Sequence, residues 1–384
     1  GKTIHEALGD VDEAIDFLNF YAAETQHNNA NETEPLGVFA VIAPWNFPLA
    51  ILCGMTAAAL ASGNVVIMKP AEQTPLTALA LHHIFLEASL PADVIQILIG
   101  TGEIVGETLV KNKDVQGIAF TGSKAVGVHI YRKSLQVAYE TNSPLRRVIA
   151  ELGGKNAIII DKDAELDHAI TSSIYSSFAH AGQKCSACSR IIVHSSILEI
   201  FTSRFVARAK EIHVGFPDIS HTYINPLISK AEINSCQIKA KRMVAFSKKH
   251  MEIIHLNKTD QENENLIGPL IIQVNKNSLL DSEHPIFQEM FAPLIYIVPF
   301  ETEAEAVEIF NNTNYGLTGG AFTQSDNTID RLSANLKAGN LYFNRNITGA
   351  RVAIEPFGGF KLSGTGPKAG GKKYLDAFQK PKNL

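Results

Sequence analysis

Long apolar runs, charge of one sign and cysteine are all scarce in this chain, and each scarcity closes off a class of function. The longest apolar stretch, Leu49 to Leu60, is too short to span a bilayer and is interrupted by Thr56 and several alanines. No basic start followed by an apolar core opens the sequence, so no secretory leader is expected. Asn-x-Thr triplets such as Asn31-Glu-Thr33 then carry no glycosylation meaning. A formal net charge of -5 offers no electrostatic case for nucleic acid or an anionic membrane. The lysines near the C-terminus (Lys368, Lys372, Lys373, Lys380, Lys382) read as a short solvated tail. The four cysteines, Cys53, Cys185, Cys188 and Cys236, show no paired framework and fit a reducing compartment. Cys185 and Cys188 form a lone C-x-x-C without a second pair, so no metal is expected. A soluble, cytoplasmic protein is the expectation.

The chain has 384 residues, 45% hydrophobic and 19% charged. That is ordinary globular composition at a length that calls for two domains or more. Leu8, Val11, Ile15 and Leu18 recur at helical spacing, and residues 23–34 are polar and read as a loop. From Gly37 short apolar runs alternate with helical segments. Strands are expected at Val38–Ile42, Val65–Met68, Val94–Leu98, Val115–Phe120 and Val148–Ala150, with a helix opened by Pro48 and others from Leu76, Glu103 and Ser123. A second such unit starts near Gly153, with strands at Ala157–Ile160, Ile191–Val193, Leu294–Val298 and Asn340–Phe343. Helices are expected over Ala164–His180 and from Ile197, and a surface loop over Asn257–Asn265. This rhythm predicts parallel sheets flanked by helices, an α/β fold.

Several stretches carry chemistry. Cys185 sits in Phe178-Ala-His-Ala-Gly-Gln-Lys-Cys-Ser-Ala-Cys-Ser-Arg190, beside Lys184 and near Gly182, which suggests an electropositive turn that a ligand can approach. A buried structural cysteine is the bland alternative. Phe120-Thr-Gly-Ser-Lys-Ala-Val-Gly127 follows a strand and opens a helix, where backbone N–H groups and the Ser123 hydroxyl would meet a pyrophosphate. It is neither the dinucleotide fingerprint nor a P-loop, and an ordinary strand–helix turn reads the same way. Gly100-Thr-Gly102 is as ambiguous. Lys69-Pro-Ala-Glu72 lies at the carboxyl end of an expected strand, where open α/β sheets bind ligands.

Taken in order with Pro44-Trp-Asn-Phe-Pro48, Glu151-Leu-Gly-Gly-Lys-Asn156, Glu289-Met-Phe-Ala-Pro293 and Pro356-Phe-Gly-Gly359, these stretches resemble the aldehyde dehydrogenase superfamily over nearly the whole chain. The resemblance implies a Rossmann-type NAD-binding domain plus an α/β catalytic domain, here expected at 1–151 and 152–360. A substrate-anchor loop and C-terminal segment would follow at 361–384. The dimerisation hairpin of relatives falls at 23–34, which looks shortened. Implied catalytic residues are Cys185 as nucleophile, Asn46 as oxyanion donor and Glu151 as the base for water. Glu151 also favours hydrolysis over transfer to coenzyme A. Implied NAD contacts are Ile42, Pro44, Trp45, Lys69, Glu72, Gly102, Phe120, Gly122, Ser123, Val126, Leu152, Glu289 and Phe291. Ala292 stands where glycine is usual.

Gly182–Arg190, Tyr315-Gly-Leu-Thr-Gly-Gly320, Asn344-Arg-Asn-Ile-Thr-Gly-Ala350 and Phe357–Gly371 are similar to Δ1-pyrroline-5-carboxylate (glutamate-γ-semialdehyde) dehydrogenases. That resemblance implies a substrate α-carboxylate held by Ser186, Gly370 and Gly371 and an aliphatic part walled by Phe178 and Phe357. Consecutive glycine N–H groups forming an anion nest would fit such a role. It also implies a homodimer or higher homo-oligomer, with a proline dehydrogenase domain fused in some members. A dehydrogenase for another small semialdehyde, or a non-catalytic fragment, are the alternatives.

Overall fold

The computed structural model describes residues 1–26, 32–229, 234, 251–256, 266–274 and 285–382. Two compact units emerge: Ala7–Leu152 with Ala350–Leu384, and Gly1–Glu6 with Gly153–Gly349. They are called here the first and second unit. The expected segment 152–360 thus divides at 349/350, and residues 350–384 belong with the first unit. The physical reason is packing: Phe378 lies 4.9 Å from Phe39, Tyr374 lies 5.9 Å from Tyr21, and the Asn64 amide donates to the Phe378 carbonyl at 3.0 Å.

In the first unit, β1 (Thr33–Pro35) precedes β2 (Val38–Ile42), β3 (Val65–Lys69), β4 (Ile95–Ile97), β5 (Gly117–Thr121) and β6 (Arg147–Glu151). Strands β2–β6 form one parallel sheet in the order β4-β3-β2-β5-β6. The pleat sends alternate residues to opposite faces. Phe39 and Val41 join one core with Phe17, Leu52 and Leu81, from α1 (Ile4–Thr25), α2 (Ala50–Ala61) and α3 (Pro75–Glu87). Ala40 and Ile42 join another with Ile130 of the helix Lys124–Thr141. A strand buried on both faces is a continuous apolar run, which is why Val38–Ile42 is legible without alternation.

The structure corrects several expectations. Pro48 sits in a turn two residues before α2, which Ala50 begins. The helix expected from Glu103 starts as a π-turn, Gly102–Gly106, and becomes α-helical at Glu107–Lys111. Residues 23–25 end the helix Ile4–Thr25, and β1 lies in what reads as a loop. Its partner is the C-terminal strand Gln379–Pro381, antiparallel, with Lys380 Nζ 3.0 Å from Glu34 Oε1. The lysine tail is therefore partly a strand. In the helix Ile4–Thr25 the buried face is Asp10, Ala14, Phe17 and Tyr21. Leu8, Val11, Ile15 and Leu18, the stripe that announces the helix in the sequence, lie on its exposed side.

The second unit holds β7 (Asn156–Ile160), β8 (Cys188–His194), β9 (Met251–Leu256), β10 (Leu270–Val274), β11 (Leu294–Phe300), β12 (Thr318–Phe322) and β13 (Asn340–Phe343). They form a seven-stranded sheet in the order β13-β12-β7-β8-β11-β10-β9, parallel except that β9 runs antiparallel to β10. Ile158 and Ile160 enter the core beneath Phe201 and Phe205, while Ala157 and Ile159 enter the opposite one with Phe310. Cys236 and the expected loop Asn257–Asn265 fall outside the described residues. No described helix is long and apolar enough to cross a membrane, and no cluster of metal-ligating side chains occurs among the described residues.

Candidate active site

The sheet of the first unit reverses direction between β2 and β5: β3 and β4 are added on one side, β5 and β6 on the other. Open parallel sheets bind ligands outside the carboxyl ends of the strands at such a reversal. The register brings Ile42 opposite Lys69 and Phe120, and Thr121 opposite Glu151, so the candidate residues gather at one sheet edge. Pro44, Trp45 and a buried Asn46 follow β2. Lys69 is buried at the end of β3, its Nζ 3.2 Å from the Glu72 carboxylate. Partial burial works against the Glu72 charge, but its own backbone N–H and Lys69 together hold its pKa below the usual value.

Beyond β5, Gly122 makes a turn in which a Cβ would come within 2.6 Å of the Phe120 ring. Ser123 caps the following helix, its Oγ accepting from Val126 N at 3.3 Å. A lone pair of that hydroxyl is thus committed to the helix. Gly127 lets the helix press on Leu152, whose side chain would overlap a Cβ there. Leu152 itself is buried and donates its N–H to the Ser363 carbonyl at 2.7 Å. At Gly102, in the π-turn, a Cβ would meet nothing within 4 Å, so packing does not account for that glycine.

Glu151 ends β6, and its carboxylate is cradled. Gly359 donates its N–H to Oε2 at 3.2 Å, and a Cβ at Gly358 or Gly364 would stand 2.9 or 2.7 Å from Oε1. Burial pushes the Glu151 carboxyl up to about 8, against the opposing pull of the Gly359 N–H and the Lys368 charge. Lys368, expected in a solvated tail, instead faces this carboxyl; its own pKa falls through burial and is held up by Glu151.

In the second unit the nucleophile candidate sits on a tight turn. Ala187 N–H returns to the Lys184 carbonyl at 3.0 Å. Cys185 is half-buried, whereas Cys53 and Cys188 are buried and burial pushes both thiols up to about 12. Cys185 is the accessible thiol among the described cysteines. Just before it, His180 and Ala181 both adopt φ +55° and Gly182 φ +69°. Left-handed angles cost non-glycine residues roughly 1–2 kcal/mol each. Such strain persists where the surroundings over-determine it and clusters at functional sites. The close approach at Gly182 is to the chain itself: a Cβ there would stand 2.5 Å from the Ala292 carbonyl. Lys184 lies over the Tyr175 ring at 5.4 Å.

Glu289 accepts from Gly154 N–H at 2.9 Å, and a Cβ at Gly153 would overlap its carboxylate. Phe291, two residues on, is held at φ +51°.

Two substrate expectations change. Phe178 is wholly buried against Phe205, a core residue rather than an open wall. The glycine nest is not open either. Gly370 donates its N–H to Tyr21 Oη at 2.9 Å, and Gly371 donates to the Lys368 carbonyl at 3.3 Å. Buried N–H groups must be satisfied, and here the chain itself satisfies them. Fold geometry accounts for both glycines: Gly370 has φ +68°, and a Cβ at Gly371 would meet Pro356 at 3.0 Å. Ser186 is buried apart from 8% of its surface, and Phe357 is half-exposed.

Against known proteins, the model of the "Aldehyde dehydrogenase family" matches residues 1–384. The chain belongs to the aldehyde dehydrogenase family. Among curated relatives it is 39% identical to 1-pyrroline-5-carboxylate dehydrogenase of Bacillus subtilis, a match over 98% of this chain and 74% of that one. Among solved structures, proline utilization A of Bdellovibrio bacteriovorus superposes with a TM-score of 0.92 at 40% identity. That match covers 99% of this chain and 40% of that one, so the chain spans well under half of that longer protein. A Thermus 1-pyrroline-5-carboxylate dehydrogenase solved with bound NAD gives 0.91 at 36% identity, covering 100% of this chain and 75% of that one.

The family motifs point to Cys185 and Glu151 but not to the groups that hold them. Gly358 and Gly359 belong to one of those motifs, but nothing in the sequence ties them or Gly364 to Glu151. Lys155 and Asn156 close the Glu151 motif without announcing a role.

Proposed function

We propose that the chain oxidises L-glutamate γ-semialdehyde, the open form of Δ1-pyrroline-5-carboxylate, to L-glutamate with NAD, in the cytoplasm and as a step of proline breakdown. The observation that carries this reading is the similarity to 1-pyrroline-5-carboxylate dehydrogenases over 98% of the chain, joined to an accessible Cys185 and a cradled Glu151.

Cys185 attacks the aldehyde carbon through its thiolate and forms a thiohemiacetal. Asn46 donates its side-chain amide to the developing oxyanion, a donor whose loss costs roughly 10²–10³ in rate in comparable sites. NAD, when bound, supplies the acceptor for the hydride whose departure leaves a thioester on Cys185. Glu151 then takes a proton from water, which attacks the thioester and releases glutamate and the thiolate. A base with a pKa near the working pH combines adequate ionisation with adequate driving force. Glu151, raised to about 8, suits that task.

Most of the residues that would hold NAD lie in the first unit. The sheet reversal, the Gly122 turn and the Ser123-capped helix would receive the pyrophosphate, and Lys69 with Glu72 the adenosine ribose. The Glu72 carboxylate would repel a 2′-phosphate, which favours NAD over NADP. Ile42, Pro44, Trp45, Phe120, Val126 and Leu152 would line the same crevice, and Glu289 with Phe291 would serve the nicotinamide end. Ser186 and Phe357 are left to recognise the substrate. The likeness to part of proline utilization A supports a dehydrogenase portion fused to a proline dehydrogenase domain; a homodimer or higher homo-oligomer is proposed on the family resemblance alone.

The test is NADH formation from glutamate semialdehyde and from pentanal, in wild type and Cys185→Ala. The expected result is a clear preference for glutamate semialdehyde and no turnover in the variant. A wild type that prefers pentanal, or that forms no NADH, would overturn the substrate or the activity.

A further inference from the structure

Asn156 is 3% exposed, and its amide is fully used. Nδ2 donates to the Cys185 carbonyl at 2.7 Å and to the Ala187 carbonyl at 2.9 Å, while Oδ1 accepts from Thr318 N–H at 3.0 Å. Two acceptors on one side and one donor on the other fix which end of the amide is nitrogen. Thr318 Oγ1 donates to the carbonyl between them, that of Ser186, at 3.2 Å. Three consecutive carbonyls of the nucleophile turn are therefore drawn toward buried side chains on β7 and β12. A trans peptide points its N–H opposite its C=O. Pinning the Cys185 carbonyl to Asn156 thus turns the Ser186 N–H away from that anchor. Gly154 makes room: a Cβ there would stand 2.5 Å from the Cys185 carbonyl and 2.7 Å from Asn156 Oδ1.

The same few residues hold a second loop. Gly154 N–H donates to Glu289, and the buried Lys155 ammonium donates to the Gln288 carbonyl at 2.8 Å, with the Tyr296 ring 4.8 Å away. Arg190 fixes the segment from the other side, donating to the Lys155 carbonyl at 2.6 Å.

We propose that Gly154, Lys155 and Asn156 act as an alignment bar, Asn156 with Thr318 positioning the Cys185 turn and Lys155 positioning the loop that carries Glu289. None of the four is a catalytic residue; they act through the groups they hold. The proposal rests on the reading of Cys185 as nucleophile and Glu289 as a cofactor-side residue. The bar begins three residues after Glu151, so one short stretch of chain registers two loops whose mutual placement governs how closely hydride donor and acceptor can be aligned. Misplacement of reacting groups by about 1 Å can cost roughly 10²-fold in rate.

The experiment compares Asn156→Asp, Thr318→Val, Thr318→Ser and Lys155→Met with wild type. The readouts are iodoacetamide labelling of Cys185 followed by mass spectrometry, the single-turnover NADH burst, and KM for NAD. Asn156→Asp keeps the shape but sets an oxygen against two carbonyls, and should slow the burst roughly 10²-fold. Thr318→Val removes one pin and should slow labelling and burst about 5-fold, the worth of one net hydrogen bond, with Thr318→Ser restoring both. Lys155→Met should raise KM for NAD while labelling stays at the wild-type rate. Folded Thr318→Val with wild-type labelling and burst would overturn the proposal, even if Asn156→Asp failed to fold. So would Lys155→Met and Thr318→Val changing the same parameters to the same extent, as general loosening would. Labelling needs neither aldehyde nor NAD. If the wild type made no NADH from glutamate semialdehyde but labelling still followed the variants, the substrate reading would fall and the alignment role would stand.

Discussion

A base whose carboxyl is pushed up to about 8 is mostly protonated at neutral pH, and that makes the rate of thioester hydrolysis a direct report on Glu151. A carboxyl titrating at that value is ionised to about a tenth near pH 7, half near pH 8 and nine tenths near pH 9. Where deacylation limits turnover, kcat should therefore rise about 5-fold from pH 7 to 8 and about 10-fold from pH 7 to 9, then level off. The NADH burst precedes deacylation and should lack this particular limb. Glu151→Gln should keep a burst of one NADH per active site and then stall with a thioester on Cys185, steady turnover falling by roughly 10²–10⁴. Lys368→Met removes the positive charge that opposes the upward push, so its kcat profile should move to higher pH. The assay is stopped-flow and steady-state NADH absorbance with succinic semialdehyde, which has a carboxylate but no amine and cannot close to a pyrroline. A flat kcat across this range, or a burst lost together with steady turnover in Glu151→Gln, would refute a purely deacylating base.

Glu151→Gln should also change stability in a pH-dependent way. A carboxyl whose folded pKa lies above its unfolded value stabilises the fold at low pH and loses that contribution as pH rises through about 8, so the variant should gain in Tm over wild type at pH 9 and not at pH 4. Equal gains at both would discount the ionisation cost. Iodoacetamide should label Cys185 well before Cys53 or Cys188, read by peptide mapping, because burial pushes both of those thiols up to about 12. Cys188→Ala should accordingly leave turnover within a few-fold of wild type, while Cys185→Ala abolishes it; an essential Cys188 with a dispensable Cys185 would reverse the assignment. Ser186→Ala should lower kcat/KM for glutamate semialdehyde roughly 10–100-fold, the worth of one hydrogen bond to a charged group, and spare pentanal. Equal losses on both would remove Ser186 from carboxylate recognition.

Strands such as Val38–Ile42 and the Ala157–Ile160 part of β7 are legible in the sequence because both of their faces are buried, so the residues are apolar without interruption. The helix Ile4–Thr25 is legible for the opposite reason to the expected one. Its apolar spacing is real, but Leu8, Val11, Ile15 and Leu18 are exposed and the buried face is carried by Asp10, Ala14, Phe17 and Tyr21. Periodicity reports a helix without saying which face is inward. Strand β1 was beyond reach for a different reason. Thr33-Glu-Pro35 has no strand pattern of its own and is a strand only because Gln379–Pro381 pairs with it across more than three hundred residues. The candidate site divides along the same line. Cys185, Glu151 and Asn46 are readable from motif order, whereas the Gly359 N–H and Lys368 beside Glu151, and the Asn156 and Thr318 clamp on the Cys185 turn, are long-range contacts that local pattern does not encode.

Glycine shows why a donor's presence is weaker evidence than its accounting. Gly370 and Gly371 invite the reading of an anion nest because glycine can reach the required angles. Yet the same permissiveness lets the chain fold tightly on itself, and then the N–H groups are spent: one on Tyr21, the other on the Lys368 carbonyl. At Gly358 and Gly364 the reverse holds. What those glycines provide is the missing Cβ, whose space the Glu151 carboxylate occupies. Glycine thus serves backbone angle at Gly370 and volume at Gly371, Gly358 and Gly364. The consequence for specificity is direct. With the nest closed, the proposed recognition of a substrate carboxylate would rest on Ser186, on the turn that Asn156 and Thr318 hold in place. Recognition and nucleophile would then share one rigid support, so that a change loosening the turn should cost both affinity for the carboxylate and rate at Cys185.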